Sequence, residues 1–123
     1  MHPGVLTCSP QAPLADVARM MVAQGVHCVV VADPGVEPAL WGIVSDLDLV
    51  AAASVRALDG QLAGGSAGTP AVTVSCNASL QHAAHLMTEH STAHLLVTGP
   101  LSTRPIGVLS TFDIATALVR AAP

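Results

Sequence analysis

Gly42-Ile43-Val44-Ser45-Asp46-Leu47-Asp48-Leu49 returns later in the chain as Gly107-Val108-Leu109-Ser110-Thr111-Phe112-Asp113-Ile114. In each copy an apolar run ends on a serine and a carboxylate follows three residues on, which reads as a strand turning into a helix. Two meanings fit that spelling. Ser-x-x-Asp is a capping box, in which hydroxyl and carboxylate satisfy the helix's own unpaired N–H groups. A helix N-terminus also carries partial positive charge and open donors, and so suits a phosphate or another anion. Recurrence of the whole block in matching surroundings weighs toward a ligand beyond simple capping.

Outward from the two blocks, the rest of the chain repeats as well. Val5-Leu6-Thr7 is a short extended run, and a helix is expected to open at Pro13, where a missing N–H costs nothing, with Asp16 in its first turn. Leu14, Val17, Ala18 and Met21 form its apolar stripe, and Gly25 stops it. His27 to Ala32 then reads as a strand covered on both faces, and Asp33-Pro34-Gly35 as a turn. Leu40 to Val44 is the next strand, and Asp46 to about Val55 a helix with Leu47, Val50 and Ala51 inward. In the second half Val72 to Val74 is extended, Leu80, Ala83, Ala84 and Met87 repeat the stripe, and His94 to Thr98 repeats the strand. Pro100 marks a turn, Ile106 to Leu109 a strand, and Thr111 to about Val119 the last helix. Leu14 matches Leu80 and Met21 matches Met87 at an offset of 66, whereas Gly42 matches Gly107 and Asp48 matches Asp113 at 65. A single-residue deletion in the strand-to-strand loop accounts for the difference. The fold class expected is α/β, two tandem β-α-β-β-α units. They span residues 1–58 and 70–123, and a Gly/Ala/Ser-rich linker at 59–69 joins them, with one helical turn around Ala57 to Leu62.

Composition narrows the function. With 123 residues, 51% of them hydrophobic, 10% charged and 2% aromatic, the chain can bury a core of Val, Leu, Ile and Ala without disulfide or metal staples. No run approaches the roughly 18 apolar residues of a membrane span. Met1-His2-Pro3-Gly4 lacks the basic and apolar stretches of a secretory signal, so a cytoplasmic location is expected. There is no Lys, Arg19, Arg56, Arg104 and Arg120 are scattered, and the formal net charge is −4, which argues against nucleic acid. Cys8, Cys28 and Cys76 are odd in number and show no C-x-x-C spacing, and read as small apolar side chains in a reducing compartment. His82 and His85 lie one helical turn apart but off the apolar stripe, with no acid or thiol at zinc spacing. They and His90 read as a solvated face, and His94 as the half-buried start of a strand, so no metal is expected. No G-x-S-x-G elbow occurs and neither junction serine has a His nearby in sequence, so no catalysis is expected. Trp41, opposite Pro105 of the second repeat, is expected to cover core or an interface.

Several of these features together resemble a known family. Leu14-x-x-Val17-Ala18-x-x-Met21, Leu80-x-x-Ala83-Ala84-x-x-Met87, the strand end Val29-Val30-Val31-Ala32-Asp33 and the two Gly-x-x-Ser-x-x-Asp blocks make the chain similar to a tandem pair of cystathionine-β-synthase (CBS) domains, a Bateman module. The resemblance implies two repeats packed about a pseudo-twofold axis, with clefts that take an adenosyl ligand such as AMP, ATP or S-adenosylmethionine. By it, Ser45 and Ser110 meet the phosphate or polar end of the ligand, and Asp48 and Asp113 the ribose hydroxyls. His27 reaches the ligand held by Asp113, and uncharged Ala93 the one held by Asp48, so the Asp113 cleft is expected to favour a phosphorylated ligand. Two departures stand out. The first repeat has at most four residues where members of the family often carry a short helix, and His27 and Ala93 stand where a basic residue is common, which disfavours a triphosphate. The implied function is a regulatory module without cofactor or catalysis of its own, acting on another protein. The helices after Ser45 and Ser110 are apolar on much of their circumference, which implies a homodimer. The alternatives are a ligand-free dimerisation or assembly module and, more weakly, a metal-dependent enzyme using the His cluster.

Overall fold

Two runs of aliphatic residues form the middle of two sheets. The computed structural model of the chain describes residues 2–3, 5–33, 40–67, 71–100 and 105–121. Within them β1 (His2–Pro3), β2 (Thr7–Cys8), α1 (Leu14–Gln24), β3 (Cys28–Ala32), β4 (Leu40–Ser45), α2 (Asp46–Val55) and α3 (Ala63–Ser66) are followed by β5 (Thr73–Ser75), α4 (Leu80–His90), β6 (His94–Thr98), β7 (Pro105–Ser110) and α5 (Thr111–Ala121). The turn expected at Asp33 to Gly35, the Trp41 side chain, Arg104, and Gly68 and Thr69 of the expected linker fall wholly or partly outside the described residues.

The chain divides into two compact units, Leu6–Ala71 and Met1–Val5 with Val72–Pro123. In the first, β3 lies between a parallel β2 and an antiparallel β4, and in the second β6 lies between a parallel β5 and an antiparallel β7. Repetition extends to irregularities, since the β3–β4 ladder shifts register at Val31/Ala32 and the β6–β7 ladder at Val97/Thr98. Helices α1 and α4 stand at an offset of 66, and α2 and α5 begin at an offset of 65. The one-residue difference therefore arises between the second and third strands of each repeat, as the sequence offsets require.

Each unit has its own core. Leu14, Val17 and Met21 of α1 pack with Val29, Val31 and Val44, and Ala83 and Met87 of α4 pack with Val74, Leu95, Val97 and Ile114. Val30 and Leu96, on the opposite faces of the central strands, are also fully buried, which is why these strands show no polar alternation. Both α1 and α4 end on a left-handed residue, Gly25 at φ 66° and Ser91 at φ 51°, whose N–H closes the last turn.

Three expectations change on contact with the structure. Helix α1 begins at Leu14, one residue later than expected, with Pro13 as its extended N-cap. Its first N–H finds an acceptor outside the helix, the carbonyl of Gln61 at 2.8 Å. The stretch expected as a linker is, over its described part, a packed piece of the first unit. Ala63 is 0% exposed, its N–H donates to Ala12, and Gly64 donates to Pro10. A Cβ on Gly64 would stand 3.1 Å from the Pro10 carbonyl oxygen, so glycine here permits the close approach of two backbones. The Gln61 amide donates to the carbonyls of Ala52, Arg56 and Ala57 and so caps the C-terminal end of α2. Small residues at 59–67 thus serve close packing, and the single helical turn is at Ala63–Ser66 rather than at Ala57 to Leu62.

The inward face of α2 also differs. Leu47 and Val50 are 72% and 65% exposed, and Leu49 and Ala52 reach the core instead. Apolar residues run all round this helix, so their spacing selects no face. Its orientation comes from the junction with β4.

Candidate functional site

Strand β4 ends on Ser45 in extended conformation, and α2 starts at the next residue. Ser45 Oγ accepts the Asp48 N–H at 3.2 Å, and Asp48 Oδ2 accepts both the Ser45 N–H at 2.8 Å and the Ser45 hydroxyl at 2.9 Å. The second copy has the same geometry. Asp113 Oδ2 accepts the Ser110 N–H at 2.8 Å and hydroxyl at 3.0 Å, while Ser110 Oγ accepts the Asp113 N–H at 3.1 Å. Each first helical N–H is taken by a neighbouring strand entrance, Asp46 donating to the His27 carbonyl and Thr111 to that of Ala93. These bonds fix the direction in which each helix leaves its sheet.

The chemistry of the box follows from the donor inventory. A serine hydroxyl has one proton, and here it is given to the carboxylate. Ser45 and Ser110 can therefore donate to a ligand only by opening the box. Both serine donors fall on Oδ2, and the other oxygen of each carboxylate, Oδ1, takes neither. A carboxylate held in this way is oriented before a diol arrives. For Asp113, burial works against the charge, and the hydrogen bonds it accepts, those from Ser110 among them, favour it. The net direction is downward from the ordinary carboxylate value.

His27, also expected at the site, places Nδ1 3.0 Å from Asp46 Oδ2, both side chains being largely exposed. Three neighbours were not singled out from the sequence. Asp46 also accepts the Leu47 N–H on Oδ1 at 2.9 Å. Cys28 is the ladder partner of Ser45, and His94, read as a half-buried strand start, is the ladder partner of Ser110. The offsets of 65 and 66 already imply the pairing of Cys28 with His94 and of Asp46 with Thr111. Burial, aided by Asp46, pushes the Cys28 thiol up to about 11, and burial also raises Cys8, so neither is a nucleophile near neutrality.

His82 and His85 are exposed on α4, and His85 Nε2 lies 3.4 Å from Glu89 Oε2. Among the described residues no three His, Cys, Asp or Glu side chains are grouped to hold a metal ion, and no helix is long and apolar enough to cross a membrane.

Comparison with known proteins agrees with the repeat. The sequence model of the CBS domain matches residues 1–55 and again 67–120. No curated protein matches the chain. Among solved structures, a CBS-domain protein from Burkholderia ambifaria superposes with a TM-score of 0.84 at 20% identity, covering 98% of this chain and 87% of that one. PAE2072 from Pyrobaculum aerophilum, solved in complex with AMP, gives a TM-score of 0.78 at 26% identity over 98% of this chain and 95% of its own. CBSX2, also in complex with AMP, gives 0.79 at 22% identity over 100% and 95%.

Proposed function

Because the chain belongs to the CBS-domain family, with two matched repeats, we propose that it is a non-catalytic regulatory module whose two Ser-x-x-Asp junctions bind an adenosyl ligand. Asp48 and Asp113 take the ribose hydroxyls. Ser45, Ser110 and His27 meet the phosphate or other polar end. The observation that carries this reading is the duplicated carboxylate, held through Oδ2 in the same geometry at both junctions. PAE2072, similar over nearly the whole of both chains, is a protein solved with AMP. AMP and S-adenosylmethionine fit the weak positive charge of the chain better than ATP does, since there is no Lys to meet a triphosphate. Occupancy acts on another protein or on the chain's own oligomer, a homodimer through α2 and α5.

Mass spectrometry of small molecules released by denaturation after gentle purification tests this, together with calorimetry against AMP, adenosine and S-adenosylmethionine. A co-purified adenosyl compound, or saturable binding of one, is expected. Absence of both would leave a ligand-free assembly module. One observation favours that second reading: the capping boxes account for every serine and aspartate contact described at Ser45 and Asp48.

A further inference from the structure

We propose that Asp46 is a specificity residue that closes the Ser45 junction to phosphate, so that each chain takes a nucleoside monophosphate at the Ser110 junction alone. This rests on the adenosyl-ligand reading above and adds which junction accepts an anion. The junctions are alike at serine and at the carboxylate three residues on, and they differ at the positions between and beside them. At the first helical position Asp46 stands where the second repeat has Thr111. Asp46 Oδ1 accepts the Leu47 N–H at 2.9 Å, so the donor that a phosphate would use there already holds a carboxylate. The residue before the equivalent Phe112 N–H is Thr111, which brings no carboxylate to it.

The strand beside each serine adds to the contrast. Partners across an antiparallel ladder put their side chains on one face. Ser45 has Cys28 as that neighbour, whereas Ser110 has His94, which can carry positive charge. The titratable groups at the first junction include Asp46, Asp48, Cys28 and His27, the last 3.0 Å from Asp46, and at the second they include Asp113, His94 and the N-terminal ammonium that helps to hold Asp113 ionised. With both histidines neutral, or both protonated, the Ser45 junction is the more negative, since it has two carboxylates where the Ser110 junction has one carboxylate with the N-terminal ammonium acting on it. For an anion held at a partly solvated site, one extra like charge at contact range weakens binding on the order of tenfold.

Because Asp46 and Thr111 are exposed, exchanging them leaves both cores intact. Calorimetric titration with AMP and with adenosine, on wild type, Asp46→Thr, Asp46→Asn, Thr111→Asp, Asp48→Ala and Asp113→Ala, tests the assignment. Wild type should take one AMP per chain, lost in Asp113→Ala and kept in Asp48→Ala. Thr111→Asp should weaken AMP about tenfold and leave adenosine within about twofold, an effect that shrinks at high salt. Asp46→Thr should admit a second AMP, and Asp46→Asn, which keeps an acceptor for the Leu47 N–H, should do so more weakly. Two AMP per wild-type chain, AMP lost in Asp48→Ala instead, or unchanged AMP affinity in Thr111→Asp would overturn the inference while adenosine binding leaves the adenosyl reading standing. Wild type that binds neither compound would overturn the adenosyl reading, and this inference with it.

Discussion

At the scale of single residues, Asp48 and Asp113 each have a structural role and a proposed binding role, and the two are separable by measurement. Asp48→Ala or Asp113→Ala removes the carboxylate half of a capping box, which should cost about 0.5–2 kcal/mol of stability. If the same carboxylate accepts a ribose hydroxyl, adenosine binding at that junction should also weaken, by roughly 1.5–3 kcal/mol. Thermal melts that drop while calorimetric adenosine binding stays put in both variants would leave capping as the whole role. Asp113 adds a pH signature. Its folded-state pKa lies below the unfolded value, so the fold favours the ionised form. That contribution is complete above the unfolded pKa of about 3.9 and is lost as pH falls through the folded value. Wild type should therefore lose stability more steeply than Asp113→Asn as pH drops below about 4. Parallel melting curves for the two proteins across that window would remove Asp113 from the acid response.

At the scale of elements, the two left-handed helix ends offer an internal comparison. Gly25 and Ser91 occupy the same turn of their repeats at φ 66° and φ 51°, yet only glycine adopts that conformation without a Cβ penalty of about 1–2 kcal/mol. Nothing lies within 4 Å of a Cβ built on Gly25, so Gly25→Ala should cost about 1 kcal/mol through backbone strain alone. Ser91→Gly should stabilise by roughly 0.5 kcal/mol, relief of strain being partly offset by the greater freedom of glycine in the unfolded chain. Equal melting temperatures for wild type and Ser91→Gly would contradict this. Elements such as these were legible in the sequence because hydrophobic period and turn residues are local signals. Leu14, Val17 and Met21 sit where their spacing puts them, and α2 opens after Ser45 as its box requires. The inward face of α2 was not legible, since Leu47, Leu49 and Val50 are equally apolar and only the junction chooses among them. Nor was the packing of Ala63 and Gly64, because small residues spell a loose linker and a tight backbone contact in the same letters. At the candidate site the serines and aspartates were legible from their spacing. Asp46 follows Ser45 directly, but its contact with His27 and the placing of Cys28 and His94 beside the serines needed the strand pairing, which is a tertiary fact.

At the scale of the whole molecule, the compact units do not follow the order of the chain. Residues 1–5 belong with 72–123, and β1 pairs antiparallel with β7 through His2 and Val108 and through Pro3 and Gly107. A pairing across more than a hundred residues leaves no local mark, so the sequence reading assigned these residues to the first repeat. Surface composition, in contrast, is a whole-molecule property that the sequence does carry. Helix α2 has no buried residue, and Leu47, Val50 and Val55 are mostly exposed, as are Phe112, Leu118 and Val119 of α5. Covering a side chain of this kind is worth about 1.5–3 kcal/mol, and a twofold interface uses each of them twice. Six such residues per chain are enough to offset the roughly 4–15 kcal/mol of lost freedom on association. The expected species is therefore a dimer, and light scattering at micromolar concentration should give twice the 12.3 kDa chain mass. A charge at the centre of either face would be buried without a partner, so Val50→Glu and Leu118→Glu should each shift the equilibrium toward monomer without lowering secondary structure by circular dichroism. A monomeric wild type would leave these faces without a second copy to cover them, and a dimer that survives both substitutions would place its interface on some surface other than α2 and α5.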